Sequence, residues 1–194
     1  MQSETPQRIL ITGGSSGIGL EASKRLIQKG HQLTLLCRTE ERCLETMKTL
    51  SAERAERASA EGLTINLQDL QSVETGCGTL LQKNEPIDTI ILNAGIQNVG
   101  LKKPQFTKQA IEETFCVNHL AHQHIVMRLL PLLLKSKKPR LVITSSEVHN
   151  PMSGGGRVGQ PAGLGSLQGL RQGPGAPMVD GESPFNADKA YKDS

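Results

Sequence analysis

The chain has 194 residues, 36% of them hydrophobic and 21% charged, with a formal net charge of +3. That length supports one domain, residues 1–194, with a real core, and leaves too little for two. Basic residues are interleaved with acids, as over Glu40–Glu61, so nucleic acid binding gains no support.

The chain begins MQSETPQR, which lacks the apolar core of a signal peptide. Ile9-Leu10-Ile11 then reads as a buried parallel strand running through Thr12, Gly13, Gly14, Ser15, Ser16, Gly17, Ile18 and Gly19 into a helix. Glycines let such a turn approach a pyrophosphate closely, and the new helix offers unpaired N–H groups and the positive end of its dipole. An anion is expected there. The spacing, T-G-x-x-x-G-x-G, has one more residue between the first functional glycines than the ordinary dinucleotide fingerprint.

The helix runs over Glu21–Lys29 and stops at Gly30, and strand two is Gln32–Cys37. Arg38 follows it, at the position where an acid would bond a ribose 2′-hydroxyl and a cation would accept a 2′-phosphate. Arg38 therefore favours NADP(H) over NAD(H). A long charged helix is predicted from Thr39 to Ala60, strand three over Leu63–Leu67, and a helix capped by Asp69 through Leu81. This alternation predicts a Rossmann-type doubly wound α/β fold: a parallel sheet with helices on both faces.

Strand four, Ile87–Leu92, ends at Asn93-Ala94-Gly95, a polar residue and two small ones at the edge where open α/β sheets bind ligands. A helix is predicted over Lys108–Lys135. It carries Asn118, His119, His122 and His124; only one histidine pair shares a face and no carboxylate completes a set, so no metal site is assigned. Strand five, Arg140–Thr144, ends at Ser145-Ser146. From Pro151 to Gly181 the chain holds half of its 20 glycines and no helical or strand period, and reads either as disorder or as a long loop over the mouth of a site. Tyr191 lies three residues before the last residue, Ser194.

The cysteines, Cys37, Cys43, Cys77 and Cys116, are scattered with no C-x-x-C, which points to a reduced, cytoplasmic setting. The longest apolar run, Leu129–Leu134, is interrupted by Pro131 and is too short to span a bilayer; peripheral contact with an internal membrane stays open.

Thr12–Gly19, Asn93–Gly95, Asn118, Ser145-Ser146 and Tyr191 together resemble, in order and spacing, the short-chain dehydrogenase/reductase family. Leu164–Leu170, Ala176–Gly181 and Ala187–Ser194 are similar to the insertion and Tyr-Lys-Asp-Ser segment of its protochlorophyllide reductase branch, with an insertion at about 151–184. Asn118–His122 and Cys37-Arg38 suit that branch and its retinol-dehydrogenase-like relatives.

The resemblance implies NADPH as cofactor, held by Gly13, Ser15, Ser16, Gly17, Ile18, Gly19, Arg38, Asn66, Asn93, Ala94 and Gly95. It implies Tyr191 as proton donor, Ser146 as its partner or the substrate's, and Asn118 as keeper of a helix bend and a relay water. The substrate would be a small molecule, in that branch a large flat pigment, and the enzyme a homo-oligomer. A phenol has an ordinary pKa of about 10, so the family sets a lysine four residues after the tyrosine. That position lies past Ser194, and the sequence reads as the N-terminal part of a longer enzyme, inactive alone, whose last strands follow. Asn66 stands where the family has an acid, Leu92 where the pigment branch has a cysteine, and Ser146-Glu147-Val148-His149 looks more like the retinol branch. A dark carbonyl or alcohol oxidoreductase and a non-catalytic NADP-binding paralogue are the alternative readings.

Overall fold

The computed structural model describes residues 5–194, and the chain divides into two compact units. The first comprises the described residues up to Asn66, then Gln71–Ala94 and His124–Thr144. It holds the whole sheet: β1 (Arg8–Thr12), β2 (Gln32–Cys37), β3 (Ser59–Thr64), β4 (Thr89–Leu92) and β5 (Arg140–Ile143). All pairs are parallel, in the order β3-β2-β1-β4-β5.

Right-handed crossovers then dictate where the helices lie. The steps β1 to β2 to β3 run one way, so α1 (Gly17–Gln28) and α2 (Glu40–Ser51) cover one face. The return past β1 to β4 and β5 puts α3 (Leu70–Lys83) and the body of α5 (Ala121–Leu133) on the other. Strand parity matches this division. Ile9, Ile11, Leu33 and Leu35 cluster with Ile27 of α1 and Leu50 of α2, while Leu10, Leu36 and Ile90 are buried with the opposite parity. The strand order reverses between β1 and β4, and their carboxyl ends lie side by side there, where open α/β sheets hold ligands.

Three predicted elements need correction. Strand three is Ser59–Thr64 and not Leu63–Leu67, because pairing with β2 runs from Gln32↔Ser59 to Cys37↔Thr64. As a sheet edge it needs no continuous apolar run, so its pattern in the sequence is weak. The charged helix ends at Ser51, since turns at Glu53 and Ala58 take up the stretch predicted to continue it. The helix predicted from Lys108 starts only at Glu113, where the Glu112 carboxylate accepts from Phe115 N at 2.8 Å and caps the turn.

The second unit comprises residues 67–70, 95–123 and 145–194. A single turn, α4 (Glu113–Phe115), runs into a π-helical turn at Cys116–Leu120 before α5. The glycine-rich stretch is structured: it contains α6 (Gln168–Gln172) and a 3-10 turn at Gly173–Gly175, and it buries Ala176, Met178 and Val179. The last helix is α7 (Ala187–Asp193), capped by Asn186 accepting from Lys189 N at 2.9 Å.

In the first unit, an ideal Cβ built on Gly76 of α3 falls 2.3 Å from Cδ1 of buried Ile65. Gly76→Ala is therefore expected to lower the stability by about 1–3 kcal/mol through overpacking. The urea midpoint measures it, and the loss should shrink in an Ile65→Ala background, where the opposing atoms are gone.

Candidate functional site

The site in the first unit is built where β1 and β4 end. Thr12 is fully buried, and its hydroxyl accepts from Asn93 N at 2.9 Å and Ala94 N at 3.0 Å. Those two bonds fix the end of β4 against the end of β1. Gly13 follows with φ at 66°, and a Cβ on it would lie 2.8 Å from Ala94 Cα, so only glycine fits both the dihedral and the space. The Asn93 amide donates to Gly13 O at 3.4 Å, and its oxygen accepts from the Thr144 hydroxyl at 3.3 Å.

Gly19 presses the start of α1 onto this turn. A Cβ there would fall 2.0 Å from Gly13 O. The helix it opens has an unusual first turn: Ser16 is the N-cap residue yet makes no side-chain capping bond, and no acid lies in the first turn. α2 is the contrast within the same unit, with Thr39 Oγ1 accepting from Arg42 N and Glu40 and Glu41 beside it. One helix meets its own dipole and the other leaves it open. Beside the open one, Ile18 is 80% exposed, an apolar side chain with nothing to cover it in a turn otherwise made of small residues.

Arg38 is exposed directly after β2, and Asn66 follows Ile65, whose N–H bonds Cys37 O at 2.8 Å. Gly13, Ser15, Ser16, Gly17, Ile18, Gly19, Arg38, Asn66, Asn93 and Ala94 thus all belong to the first unit. A turn closed to a Cβ at Gly13 and Gly19 and a helix start without its own cap fit a phosphate, and an exposed cation at the end of β2 fits a further one. Thiolate chemistry has no support. Burial, reinforced by the neighbouring Cys43, pushes the Cys37 thiol up to about 12, and burial pushes those of Cys77 and Cys116 to about 11.

In the second unit Asn118 sits inside the π turn. Its Oδ1 accepts from Ile96 N at 2.8 Å, and its Nδ2 donates to Ile96 O at 3.0 Å and to Ser194 Oγ at 2.9 Å. Ser194 Oγ in turn donates to Tyr191 O at 2.9 Å. Ser146 opens a 3-10 turn, Glu147–His149, against which α7 packs. Asn118, Ser146 and Tyr191 are therefore gathered by one small set of elements, and Gly95 adjoins Asn118, a Cβ on it lying 3.5 Å from Oδ1.

The three neighbouring histidines have separate structural partners. His119 stacks on Phe115 with ring centroids 5.1 Å apart, His122 Nδ1 meets Asn118 O at 3.1 Å, and in the first unit His124 meets Glu74 at 2.8 Å. Thr12 was legible only as part of the glycine motif, and Lys189 and Lys192, both buried in the second unit, carried no signal beyond lying beside Tyr191.

A family model described as short chain dehydrogenase matches residues 7–156. The chain belongs to that family. This short chain dehydrogenase is 36% identical over 193 residues to a protochlorophyllide reductase of Avena sativa, a match covering 96% of this chain and 61% of that protein. It is 34% identical over 195 residues to the chloroplastic protochlorophyllide reductase A of Oryza sativa subsp. japonica, covering 96% of this chain and 49% of that one. The chain thus spans about half to three-fifths of the length of these curated relatives. The RhlG/NADP active-site complex of Pseudomonas aeruginosa shares the fold, with a TM-score of 0.61 at 22% identity over 76% of this chain and 56% of that one.

Two outcomes are expected. Gly19→Ala drives a methyl into Gly13 O and should weaken NADPH binding by at least about tenfold, read by quenching or calorimetry, roughly 1.4 kcal/mol per decade. Burial pushes the His122 imidazole down to about 4, against the bond to Asn118 O, which favours its charged form. Between an unfolded value of about 6.5 and that folded value, the unfolded chain takes up a proton that the folded one refuses. Stability should therefore decrease as the pH is lowered from about 6.5 to about 4, at up to about 1.4 kcal/mol per unit. In His122→Gln the urea midpoint should depend less on pH there.

Proposed function

We propose that this short chain dehydrogenase is the NADPH-binding part of a reductase of the protochlorophyllide type. The observation that carries the reading is the uncapped, acid-free start of α1 over a turn whose Gly13 and Gly19 leave no room for a Cβ. Gly13, Ser15, Ser16, Gly17, Ile18 and Gly19 would hold the pyrophosphate, and Arg38 the 2′-phosphate that marks NADP. Asn66, Asn93, Ala94 and Gly95 would line the rest of the dinucleotide's path. Bound NADPH supplies a hydride.

The chain's own residues supply position and a proton. Tyr191 delivers the proton, Asn118 holds the Gly95–Ile96 main chain and the end of α7 in place, and Ser146 bonds the substrate or the tyrosine. The substrate is a small molecule, and by likeness to the oat and rice relatives it is protochlorophyllide, reduced to chlorophyllide under light. In this reading the segment from Pro151 to Gly181, which holds α6 and buries Ala176, Met178 and Val179, would form a wall against a large flat molecule. Residues 1–194 are read as one NADP-binding domain of a homo-oligomer.

No helix among the described residues is long and apolar enough to cross a membrane. The reaction is proposed to run in the cytoplasm or at the surface of an internal membrane; the rice relative is chloroplastic by its name, so in a plastid-bearing cell that organelle is the setting. A dark carbonyl or alcohol reductase is the second reading, favoured by the Ser146 turn with His149 Nδ1 against Ser146 O.

The test uses the full gene product with NADPH and protochlorophyllide, absorbance being followed in darkness and then after a flash. Conversion only after light is expected, and Tyr191→Phe should slow it by about 10²–10⁴-fold while NADPH still binds. Absence of conversion in both conditions, with NADPH bound, would remove the pigment as substrate.

A further inference from the structure

In the second unit α7 presents two buried ammonium groups, and they are satisfied in different ways. Lys189, 6% exposed, meets Asp193 Oδ2 at 2.6 Å, Asp180 Oδ2 at 3.2 Å and Gly163 O at 2.9 Å. Asp193 uses its other oxygen to accept from Gly163 N at 2.8 Å. Lys189 is thus one member of a closed set of opposite charges.

Lys192 is 7% exposed, and the acids of that set are engaged elsewhere. Its Nζ donates to three main-chain carbonyls, Gly156 O at 3.3 Å, Gln160 O at 3.0 Å and Val158 O. An ammonium has three protons to give, and three carbonyls from alternate residues of one short stretch converge to take them. A buried cation without such bonds would cost several kcal/mol, so the cradle is what makes Lys192 tolerable inside. The dependence runs both ways. Among the described residues Gly156 to Gln160 is otherwise held by local bonds, Gly156 N on Ser153 Oγ at 2.9 Å, Arg157 N on Ser153 O at 3.2 Å and Val158 N on Gly155 O at 3.4 Å, and belongs to no strand or long helix.

We propose that Lys192 is a positioning residue: seated on the three carbonyls, its ammonium fixes the 156–160 turn and with it the wall that the glycine-rich segment offers to substrate. The second half of this statement rests on the reductase reading above. The first half does not. Because Lys192 directly follows Tyr191 on α7, the same helix turn that carries the proposed proton donor also anchors the loop.

The experiment compares wild type, Lys192→Ala and Lys192→Met in the full gene product by amide hydrogen exchange. Protection at Arg157 and Val158 should fall at least tenfold in both variants, with the β1 and β4 amides unchanged. Ethylammonium, which brings back an N–H-bearing cation, should restore protection in Lys192→Ala, while tetramethylammonium, a cation with no N–H, should not. Unchanged protection, equal restoration by both salts, or loss of protection across the whole sheet in both variants would each overturn the anchor. In the light-driven assay the KM for protochlorophyllide should rise about tenfold with kcat and the KM for NADPH within twofold. A fall in kcat alone would overturn the wall. If wild type leaves protochlorophyllide unconverted, the reductase reading fails, and the exchange measurements still decide the anchor.

Discussion

The main chain of Gly13 passes so close to Ala94 that no side chain could stand between them, and the first unit depends on that contact. Thr12 is the residue that makes it possible. Its buried hydroxyl takes two main-chain N–H groups from the end of β4, groups that would otherwise be left without partners where the ladder stops. With the two strand ends locked, Gly13 turns through a positive φ, Gly19 closes on its carbonyl, and α1 starts with its N–H groups aimed outward. The proposed anion site is thus a by-product of close packing. Remove the packing and the same glycines would be only a flexible loop.

The second unit solves a different problem by different means. Its glycine-rich stretch has few apolar side chains to bury, so order comes from polar groups taken out of water and fully paired. Asp180 shows how far this goes. Burial disfavours its charge, yet the Ser183 hydroxyl, the N–H groups of Glu182 and Ser183, and Lys189 together hold its carboxyl below the usual carboxylate range. Such a network tolerates no half measures, since each unpaired member would cost more than an apolar substitute.

How much of this was legible depended on whether a feature is local in the chain. β2 and the glycine turn stand out because a buried parallel strand and a phosphate turn are written in consecutive residues, and β5 stands out by its apolar run although Leu141, Val142 and Ile143 are exposed at the sheet edge. β3 was misplaced because an edge strand is specified by its partner, here Gln32 to Cys37, and not by its own composition. The stretch after Pro151 gave no period, and the reason is now plain: its order rests on Lys189, Lys192 and Asp193, about thirty residues further along. Tyr191, Ser146 and Asn118 stand out in the sequence as candidates by type and order, whereas the bonds from Asn118 to Ile96 and Ser194 do not, since they join positions far apart in the chain.

The π turn at Cys116–Leu120 has a consequence of another kind. A π turn is an α-helix with one extra residue looped into it, which leaves a carbonyl without its usual partner and swings every later side chain by about 100° relative to an unbroken helix. Asn118 lies inside this turn, and His122 reaches its carbonyl oxygen. This makes length, more than identity, the constrained quantity: point changes at Val117 or His119 alter only packing, while a one-residue deletion would restore a regular helix and turn Asn118 away from Ile96. Among descendants of this sequence, gaps should accumulate in the exposed connections and stay out of these five positions.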